Sequence, residues 1–317
     1  MSMTSRERVK AAIAHEPVDR PPHFITFCPD AREVLMPHID GDDFEAFVDN
    51  DVKPVGGIWW VWDQQEPDWF GMDLPTSPLK AKGFGSFETF YDTVARLSDE
   101  SDKYLLATIY GSHFEKAYFA RGIENFLADM AGEPEFARKL LQRVVDYNMT
   151  MLDLLLSAPG VDGVLLGSDW GTQLDLLMSP DVWDEMIRPG EQAEYDLIHS
   201  YGKDAWVHSC GQISRLVPRL VEMGLDVLNP IQPECMSLEW LHEEFGDDLA
   251  YYGGITTQTV LPFGNPDEVR AEARRVRDLL GRGGTGGGYI FAPSQDLQDD
   301  VPAENMLALL EVAKEIP

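Results

Sequence analysis

The sequence predicts an α/β protein with the (β/α)8 (TIM) barrel fold. Short apolar segments alternate with helical segments along most of the 317 residues, as where the apolar run 161–166 precedes helical segments between 180 and 201. About eight strand–turn–helix units with right-handed crossovers make a closed barrel. A doubly wound open sheet would instead need a glycine-rich phosphate turn after the first strand, and residues 27–30 (Phe-Cys-Pro-Asp) do not form one.

Each element is predicted from its local pattern of apolar and helix-breaking residues. Helices are expected where apolar residues recur at three- and four-residue steps, and strands where short apolar runs end in turn residues. The predicted helices cover 5–14, 123–130, 134–156, 180–201, 213–223, 238–245, 266–280 and 302–316. The predicted strands cover 23–27, 57–62, 84–92 (as an exposed or edge strand), 104–109, 161–166, 204–208, 226–228, 249–252 and 289–291. We interpret residues 1–317 as a single barrel domain in which residues 1–20 form a leading helical extension.

Composition restricts the partners and the compartment. The chain has 25 Lys and Arg against 55 Asp and Glu, and its formal net charge of −30 would repel the phosphates of a nucleic acid. The sequence has no apolar run of about 18 residues and no charged start followed by an apolar h-region, so we expect neither a membrane span nor a signal peptide. Three cysteines at this length do not make a disulfide framework, which favours the reducing environment of the cytoplasm.

The segment 206–212 carries a candidate metal site. His208 and Cys210 stand two residues apart at the end of a predicted strand, so their side chains share one face. Imidazole and thiolate suit zinc, and Gly211 lets the chain turn sharply out of the strand. The alternative is a buried histidine next to a cysteine that acts as a small hydrophobe, because zinc needs at least three protein ligands.

Polar residues also follow other predicted strands. The carboxyl ends of the strands form the face on which barrel enzymes place their chemistry. The residues concerned are Asp63, Asp169, His208, Cys210, Asn229, Gln232, Thr257 and Gln295. For each residue alone, hydrogen bonding or capping in a loop is the structural alternative. Five tryptophans could line an apolar pocket or pack the core: Trp59, Trp60, Trp62, Trp69 and Trp170.

Several segments together resemble the uroporphyrinogen decarboxylase superfamily. They are 208–211 (His-Ser-Cys-Gly), 226–233 (Asp-Val-Leu-Asn-Pro-Ile-Gln-Pro), 253–258, 261–264, 287–293 and 301–305, with 6–22 and 168–171. The resemblance covers nearly the whole chain and implies a (β/α)8 barrel. It also implies one of two activities, porphyrinogen decarboxylation or zinc-dependent methyl transfer with corrinoid proteins, coenzyme M or similar thiols.

Three features distinguish the branches of this superfamily. The decarboxylases carry an arginine-rich motif after the first strand that binds substrate carboxylates, and residues 25–30 lack it. The methyltransferases carry His-x-Cys at the fifth strand, matched here by His208 and Cys210. They also carry a cysteine after the last strand, where the decarboxylases have histidine and this chain has Gln295. The resemblance therefore favours the methyltransferase branch and leaves the third metal ligand open.

The resemblance implies zinc-dependent methyl transfer (demethylation) between a small methylated or corrinoid-linked donor and a thiol or corrinoid acceptor. His208 and Cys210 would hold zinc and form the catalytic centre. The third ligand is open between Glu234, the side-chain carbonyl of Gln295 and Cys235, of which Cys235 is preferred. The residues predicted to contact substrate are Trp60, Trp170, Asn229, Gln232 and Gln295.

Two other functions stay open. A metal-free decarboxylase or lyase would use Asp63 or Asp169 as its acid/base group. A non-catalytic barrel would bind a corrinoid or tetrapyrrole as a carrier or sensor. The expected partners are a small-molecule substrate and, as open alternatives, a corrinoid protein and a second copy of the chain in a homodimer. Neither a nucleic acid nor a membrane is an expected partner.

Overall fold

The computed structural model describes residues 2–39, 41–56, 58–65, 77, 79–83 and 87–317. Trp69 and the side chain of Trp59, both predicted pocket residues, lie outside the described residues. The chain divides into two compact units. Unit 1 comprises Met1–Lys53, Asp102–Tyr104 and Asp226–Pro317, and unit 2 comprises Pro54–Ser101 and Leu105–Leu225. In the part of the chain that is described, no helix is both long and apolar enough to cross a membrane.

Helices and strands alternate through most of the described sequence. The strands are β1 (Val52–Val55), β2 (Ile58–Val61), β3 (Lys80–Gly83), β4 (Tyr104–Ile109), β5 (Gly163–Gly167), β6 (Asp204–His208), β7 (Val227–Ile231), β8 (Ala250–Ile255) and β9 (Tyr289–Pro293). The helices are α1 (Ser5–Ile13), α2 (Pro29–Leu35), α3 (Phe44–Val48), α4 (Phe87–Glu100), α5 (His113–Arg121), α6 (Ile123–Gly132), α7 (Pro134–Leu156), α8 (Pro180–Met186), α9 (Arg188–Ser200), α10 (Val217–Glu222), α11 (Leu238–Phe245), α12 (Val260–Phe263), α13 (Pro266–Leu280) and α14 (Ala303–Lys314). A short 3-10 helix, Met36–His38, follows α2.

Unit 2 contains a ladder of parallel strands. β4 pairs in parallel with β5, and β5 pairs in parallel with β6, with Gly167 in register with His208. Along β4 every residue except Thr108 is buried, a pattern typical of parallel strands covered by helices. Because the strands are parallel, their carboxyl ends lie at one edge of the ladder, and that edge carries the candidate site.

Unit 1 contains a second ladder of parallel strands. β7 pairs in parallel with β8, and β8 pairs in parallel with β9. The predicted first strand, 23–27, forms two parallel bridges instead of a regular ladder, His23 with Phe291 and Phe27 with Leu297. Between the bridges, the side-chain amide of Asn50 bonds both backbone groups of Ile25, at 2.8 and 2.9 Å. The Asn50 side chain thus supplies backbone hydrogen bonds to Ile25 that a regular strand ladder would otherwise supply.

The two ladders confirm the predicted α/β class with parallel strands, and the fold similarity reported below agrees with it. Closure of the strands into one eight-stranded barrel, and the single domain over residues 1–317, stay predictions. The segments 104–109, 161–166, 204–208 and 289–291 all fall on described strands, within two residues at either end.

The strand predicted for 84–92 is wrong over residues 87–92, which begin helix α4; residues 84–86 lie outside the described residues. The sequence FETFYDTV places Phe87, Phe90, Tyr91 and Val94 at helical spacing, and Phe90 and Val94 are buried. The predicted strand 57–62 is observed as β2, but β2 pairs antiparallel with β3.

The leading segment belongs to unit 1 through a buried ionic cluster. Asp51 is fully buried and pairs with Arg8 at 2.6 Å and Arg20 at 2.7 Å, and it also accepts the His23 amide N–H at 2.8 Å. Arg8 pairs in addition with Asp19 at 2.6 Å. The charges of Arg8 in helix α1 and of Arg20 in the following loop are therefore compensated by Asp51, which comes later in the sequence.

Candidate functional site

The loops that follow β5 and β6 run side by side in unit 2. The Ser168 amide donates to the carbonyl oxygen of His208 at 2.7 Å, which extends the strand pairing by one step. Beyond it, the Trp170 amide donates to Ser209 Oγ at 3.1 Å, and the Gln212 amide donates to the Thr172 carbonyl at 2.7 Å. These bonds hold the loop carrying Asp169 against the loop carrying Cys210.

Two glycines allow this close approach. Gly211 has a φ of +85°, and a Cβ atom there would lie 2.4 Å from the Thr172 carbonyl oxygen. A Cβ atom on Gly171 would lie 2.7 Å from the Cys210 carbonyl oxygen. Both separations are shorter than real side chains tolerate, so the paired loops need glycine at these two positions.

Three potential metal ligands meet between the loops. Cys210 Sγ lies 3.4 Å from His208 Nε2, and His208 Nε2 lies 3.8 Å from Asp169 Oδ1. The ligand atoms of all three residues lie within 4.8 Å of one another. All three residues are partly exposed. One imidazole, one thiol and one carboxylate are ligand types that zinc takes, so the residues fit the implied metal.

Asp169 also has a second interaction in this group. Its Oδ1 atom accepts the Cys210 amide N–H at 2.9 Å, so the carboxylate orients the backbone of the cysteine as well as facing the histidine. Sequence reasoning had placed Asp169 at a strand end as an acid/base candidate, without assigning it to the metal. The structure brings Asp169, His208 and Cys210 together.

Glu115 is a site residue that sequence reasoning missed. It lies in the first turn of α5, directly after β4, and is 3% exposed. Burial first, and then the charge of Asp169, raise the pKa of Glu115 to about 7. Tyr118 donates a hydrogen bond to Glu115 Oε1 at 3.1 Å. The signal was available, since Glu115 follows an apolar strand, but α5 itself was not predicted because its buried polar residues hide the amphipathic pattern.

Unit 2 also contains a cavity of about 550 Å³. Its lining includes Trp62, Asp63, Tyr110, Tyr118 and Phe119. Burial first, and then the charges of Glu115, Asp169 and Cys210, raise the pKa of Tyr110. Tyr118 lines the cavity and also donates the hydrogen bond to Glu115. The aromatic lining suits the apolar part of a small ligand.

The other predicted residues of unit 2 have different surroundings. Asp63 lines the cavity and pairs with Lys80, both side chains being exposed. Trp60 is half-buried and makes a T-shaped contact with the Tyr147 ring at a centroid distance of 6.5 Å. Trp170 is fully buried and packs edge to face on Trp183 at 5.3 Å. Trp170 is therefore a core side chain. It has no accessible surface in this structure through which it could make the predicted contact with substrate.

Four predicted site residues lie in unit 1. Asn229 is buried and donates to the Tyr252 carbonyl at 3.2 Å, and Gln232 is also buried. Cys235 is half-buried, and burial first, then Glu234, raise the pKa of its thiol. The Gln295 side chain accepts the Asp296 amide at 3.0 Å. The roles of these residues in metal or substrate binding stay predictions.

Comparison with known proteins identifies the family. A model of the uroporphyrinogen decarboxylase (URO-D) family matches residues 72–316. The chain therefore belongs to the uroporphyrinogen decarboxylase family, as its motifs had indicated. This enzyme superfamily includes both decarboxylases and methyltransferases.

The similar curated proteins represent both activities. A uroporphyrinogen decarboxylase of Methylococcus capsulatus is 23% identical over 59% of this chain and 50% of its own length. A methylated-thiol--coenzyme M methyltransferase of Methanosarcina mazei is 22% identical over 64% of this chain and 51% of its own length. The chain thus spans about half the length of the curated relatives it matches.

A solved structure shares the fold over nearly the whole chain. The structure of a methyltransferase from Methanosarcina mazei superposes with a TM-score of 0.70, covering 98% of each chain at 15% sequence identity. At this identity the similarity concerns the fold alone.

Proposed function

We propose that the protein is a zinc-dependent methyltransferase that moves a methyl group from a small methylated or corrinoid-linked donor to a thiol or corrinoid acceptor. The observation that carries the proposal is the convergence of Asp169, His208 and Cys210, which each place one possible ligand atom within 4.8 Å of the others. The methyltransferase relative, at 22% identity, supports it. A second copy of the chain and a corrinoid protein stay proposed partners.

The residues of the site would hold the metal and leave room for a substrate. His208 and Cys210 would be ligands from one strand end, and Asp169 would be a ligand or would orient Cys210 through its backbone amide. Cys235 stays a predicted ligand, which the metal content of a Cys235→Ser variant tests. When bound, zinc would supply Lewis acidity that stabilises a thiol acceptor as its thiolate.

The reaction with a thiol acceptor balances without a redox partner. The acceptor sulfur forms a bond to the methyl carbon, the bond between that carbon and the donor atom breaks, and the electron pair of the broken bond stays with the donor. With a methylated thiol as donor, the proton of the acceptor thiol ends on the released thiol; with a corrinoid donor, the corrinoid keeps the electron pair and the proton goes to solvent. Glu115, with a pKa raised to about 7, is suited to hold that proton at Oε1 or Oε2 in between.

The cavity of about 550 Å³ is the proposed place for the body of the small substrate. Its aromatic side chains would bind apolar parts of the substrate, and Asp63 would offer a polar contact at the rim. None of the three cysteines forms a disulfide, which agrees with a proposed location in the reducing cytoplasm.

The test is metal content together with methyl transfer by the untagged protein. Protein purified without chelator should contain zinc in proportion to chain, and should convert a thiol acceptor and a methylated thiol or methylcobalamin to the methylated acceptor. Chelator treatment should remove zinc and activity together, and added zinc should restore both. Methyl transfer that persists in demonstrably zinc-free protein would refute the proposal.

A metal-free decarboxylase is the second candidate, and Glu115 favours it because a carboxyl with a pKa near 7 is suited to acid/base catalysis. Asp63 or Asp169 would be its partner. Against uroporphyrinogen as substrate stand the missing arginine motif and the net charge of −30. Decarboxylation of uroporphyrinogen by chelator-treated protein, with kcat/KM in the ordinary range of about 10⁴–10⁸ M⁻¹s⁻¹, would decide for this candidate. Tight corrinoid binding with no turnover would instead favour a non-catalytic carrier or sensor.

A further inference from the structure

A second group of ligand-type side chains lies buried inside unit 2. His113 stands at the start of α5, and Glu191 and Glu194 lie in α9. Their side chains are 1%, 0% and 0% exposed. His113 Nδ1 lies 3.4 Å from Glu191 Oε1 and 3.8 Å from Glu194 Oε1. No residue of the group belongs to the Asp169–His208–Cys210 site.

The orientation of each side chain is set by a neighbour. His113 Nε2 lies 3.1 Å from the Ile187 carbonyl oxygen; since a carbonyl can only accept, Nε2 carries the proton and Nδ1 presents its lone pair to the carboxylates. Asn148 donates to Glu194 Oε1 at 2.8 Å, and Ser168 donates to Glu191 Oε1 at 3.3 Å. Such outer hydrogen bonds are typical of histidine and carboxylate ligands in metal sites.

Two polar atoms of the group have no hydrogen-bond partner among the described residues, His113 Nδ1 and Glu194 Oε2, whereas Glu191 also interacts with the Tyr195 hydroxyl. Leaving a buried acceptor unsatisfied costs about 1–3 kcal/mol, and more when the group is charged. A proton shared between a Glu191 oxygen and His113 Nδ1 would satisfy these two atoms and leave Glu194 Oε2 without a hydrogen bond. A cation between the imidazole and the two carboxylates would satisfy His113 Nδ1, and it would satisfy Glu194 Oε2 if that carboxylate bound through both of its oxygens.

We propose that His113, Glu191 and Glu194 bind a divalent transition-metal ion as a second metal site, buried behind the first. Ligand atoms about 2.1 Å from a tetrahedral ion are about 3.4 Å apart, close to the 3.4 and 3.8 Å observed. One imidazole and two carboxylates, without a thiol, suit Zn²⁺, Mn²⁺ or Fe²⁺. This ligand class differs from the thiol-containing set at Cys210.

Charge and burial agree with this assignment. Glu191 and Glu194 are both fully buried, and two buried carboxylates can be ionised together only beside a compensating positive charge. Lys116 is buried as well, and its ammonium donates to Asn148 Oδ1 at 2.6 Å. A divalent ion would balance both carboxylates.

The second site would support the first. Ser168, bonded to Glu191, precedes Asp169 in the loop after β5. An ion that holds Glu191 in place therefore holds this loop, and with it the carboxylate that accepts the Cys210 amide. The ion is a structural support in this proposal and takes no part in methyl transfer.

The test uses a His208→Ala/Cys210→Ser double variant, in which the partly exposed site has lost two of its three ligands. The protein is produced in medium supplemented with Mn²⁺, dialysed against chelator, and analysed by mass spectrometry and by electron paramagnetic resonance after acid release. Near-stoichiometric manganese should remain, because the second site is shielded from solvent. A folded double variant that retains no metal from this medium or from zinc- or iron-supplemented medium overturns the proposal.

Matched variants assign the retained ion to the buried residues. Adding Glu194→Gln to the double variant should reduce metal retention at least about tenfold, whereas Glu185→Gln, which changes an exposed carboxylate on α8, should leave it unchanged. Equal retention in the folded Glu194→Gln protein would place the ion elsewhere. These readouts do not involve activity, so the second site can fail while the proposed methyl transfer stands, and the reverse.

Discussion

The backbone amide of Cys210 donates a hydrogen bond to Oδ1 of Asp169 over 2.9 Å, and this bond joins two strand-end loops 41 residues apart in the sequence. The same oxygen lies 3.8 Å from His208 Nε2. A single carboxylate thus orients the cysteine and faces the histidine of the candidate metal centre. This relationship underlies the first three predictions.

Replacing Cys210 by serine should abolish zinc binding and methyl transfer. The hydroxyl is a much poorer zinc ligand than a thiolate, while a partly exposed position contributes little to the core, so the free energy of unfolding should change by no more than about 0.5 kcal/mol. Metal analysis, an activity assay and thermal unfolding measure these effects. Cys28→Ser is the control, since Cys28 caps helix α2 in unit 1. Unfolding of the Cys210 variant, or full activity, would contradict the metal assignment.

Replacing Asp169 by asparagine should weaken zinc binding about 10–100-fold. The amide oxygen can still accept the Cys210 N–H bond, but the negative charge facing His208 is lost. Competition with a chromophoric chelator measures the affinity. Asp175→Asn, in the same loop and exposed, is the matched control. An affinity equal to that of the wild type would mean that the Asp169 charge has no part in metal binding.

Replacing Gly211 by alanine should disrupt the metal centre from the backbone. The new Cβ would lie 2.4 Å from the Thr172 carbonyl oxygen, and the φ of +85° disfavours alanine. Strain of this kind costs about 1–3 kcal/mol, and separating the loops should lower zinc affinity as well. Urea unfolding and zinc titration test both. Gly202→Ala serves as control, because its φ is +66° with open space around its Cβ position; equal effects of the two changes would show that backbone strain alone is responsible.

Glu115→Gln should remove a pH dependence near 7. The Glu115 carboxyl has a pKa of about 7 in the folded protein against 4.5 ordinarily. A raised folded-state pKa means that stability is present below 4.5 and is lost as the pH rises through about 7. Between these values the metal-free wild type should therefore lose stability with rising pH more steeply than the variant.

Activity gives the complementary readout for Glu115. If the ionised carboxylate accepts the proton of the acceptor thiol, wild-type methyl transfer should increase with pH through about 7. Glu115→Gln should lower the rate about 10²–10⁴-fold and flatten the profile. Retention of the same profile in the variant would assign the titration to another group.

Replacing Asp51 by asparagine should destabilise unit 1 by about 3–5 kcal/mol, because the charges of Arg8 and Arg20 would stay buried without their partner. Denaturant unfolding followed by circular dichroism measures the loss. Asp278→Asn is the control, since Asp278 is about half exposed and its pair with Arg277 contributes little. A change below about 1 kcal/mol for Asp51→Asn would show that the two arginines find other partners.

The local sequence by itself determined the class of the fold and two members of the candidate site, His208 and Cys210. Apolar runs and helical periodicity depend on neighbouring residues, so they could be read directly, and the strands ending at His208 and at Gly167 were predicted nearly to the residue. The pairing of His208 with Cys210 needed only the two-residue repeat of a strand. The prediction failed at 87–92, where a segment rich in aromatic residues fits both periods.

Only the tertiary structure decided which side chains join that pair. Asp169 meets Cys210 because the register of β5 with β6 and two glycines bring their loops into contact, and no local pattern encodes that register. The buried group of His113, Glu191 and Glu194 has no local sequence signal either, and for Glu115 the sequence shows only that it follows an apolar strand. Their properties come from burial and from charges on other elements, and both exist only after helices α5 and α9 have packed in unit 2.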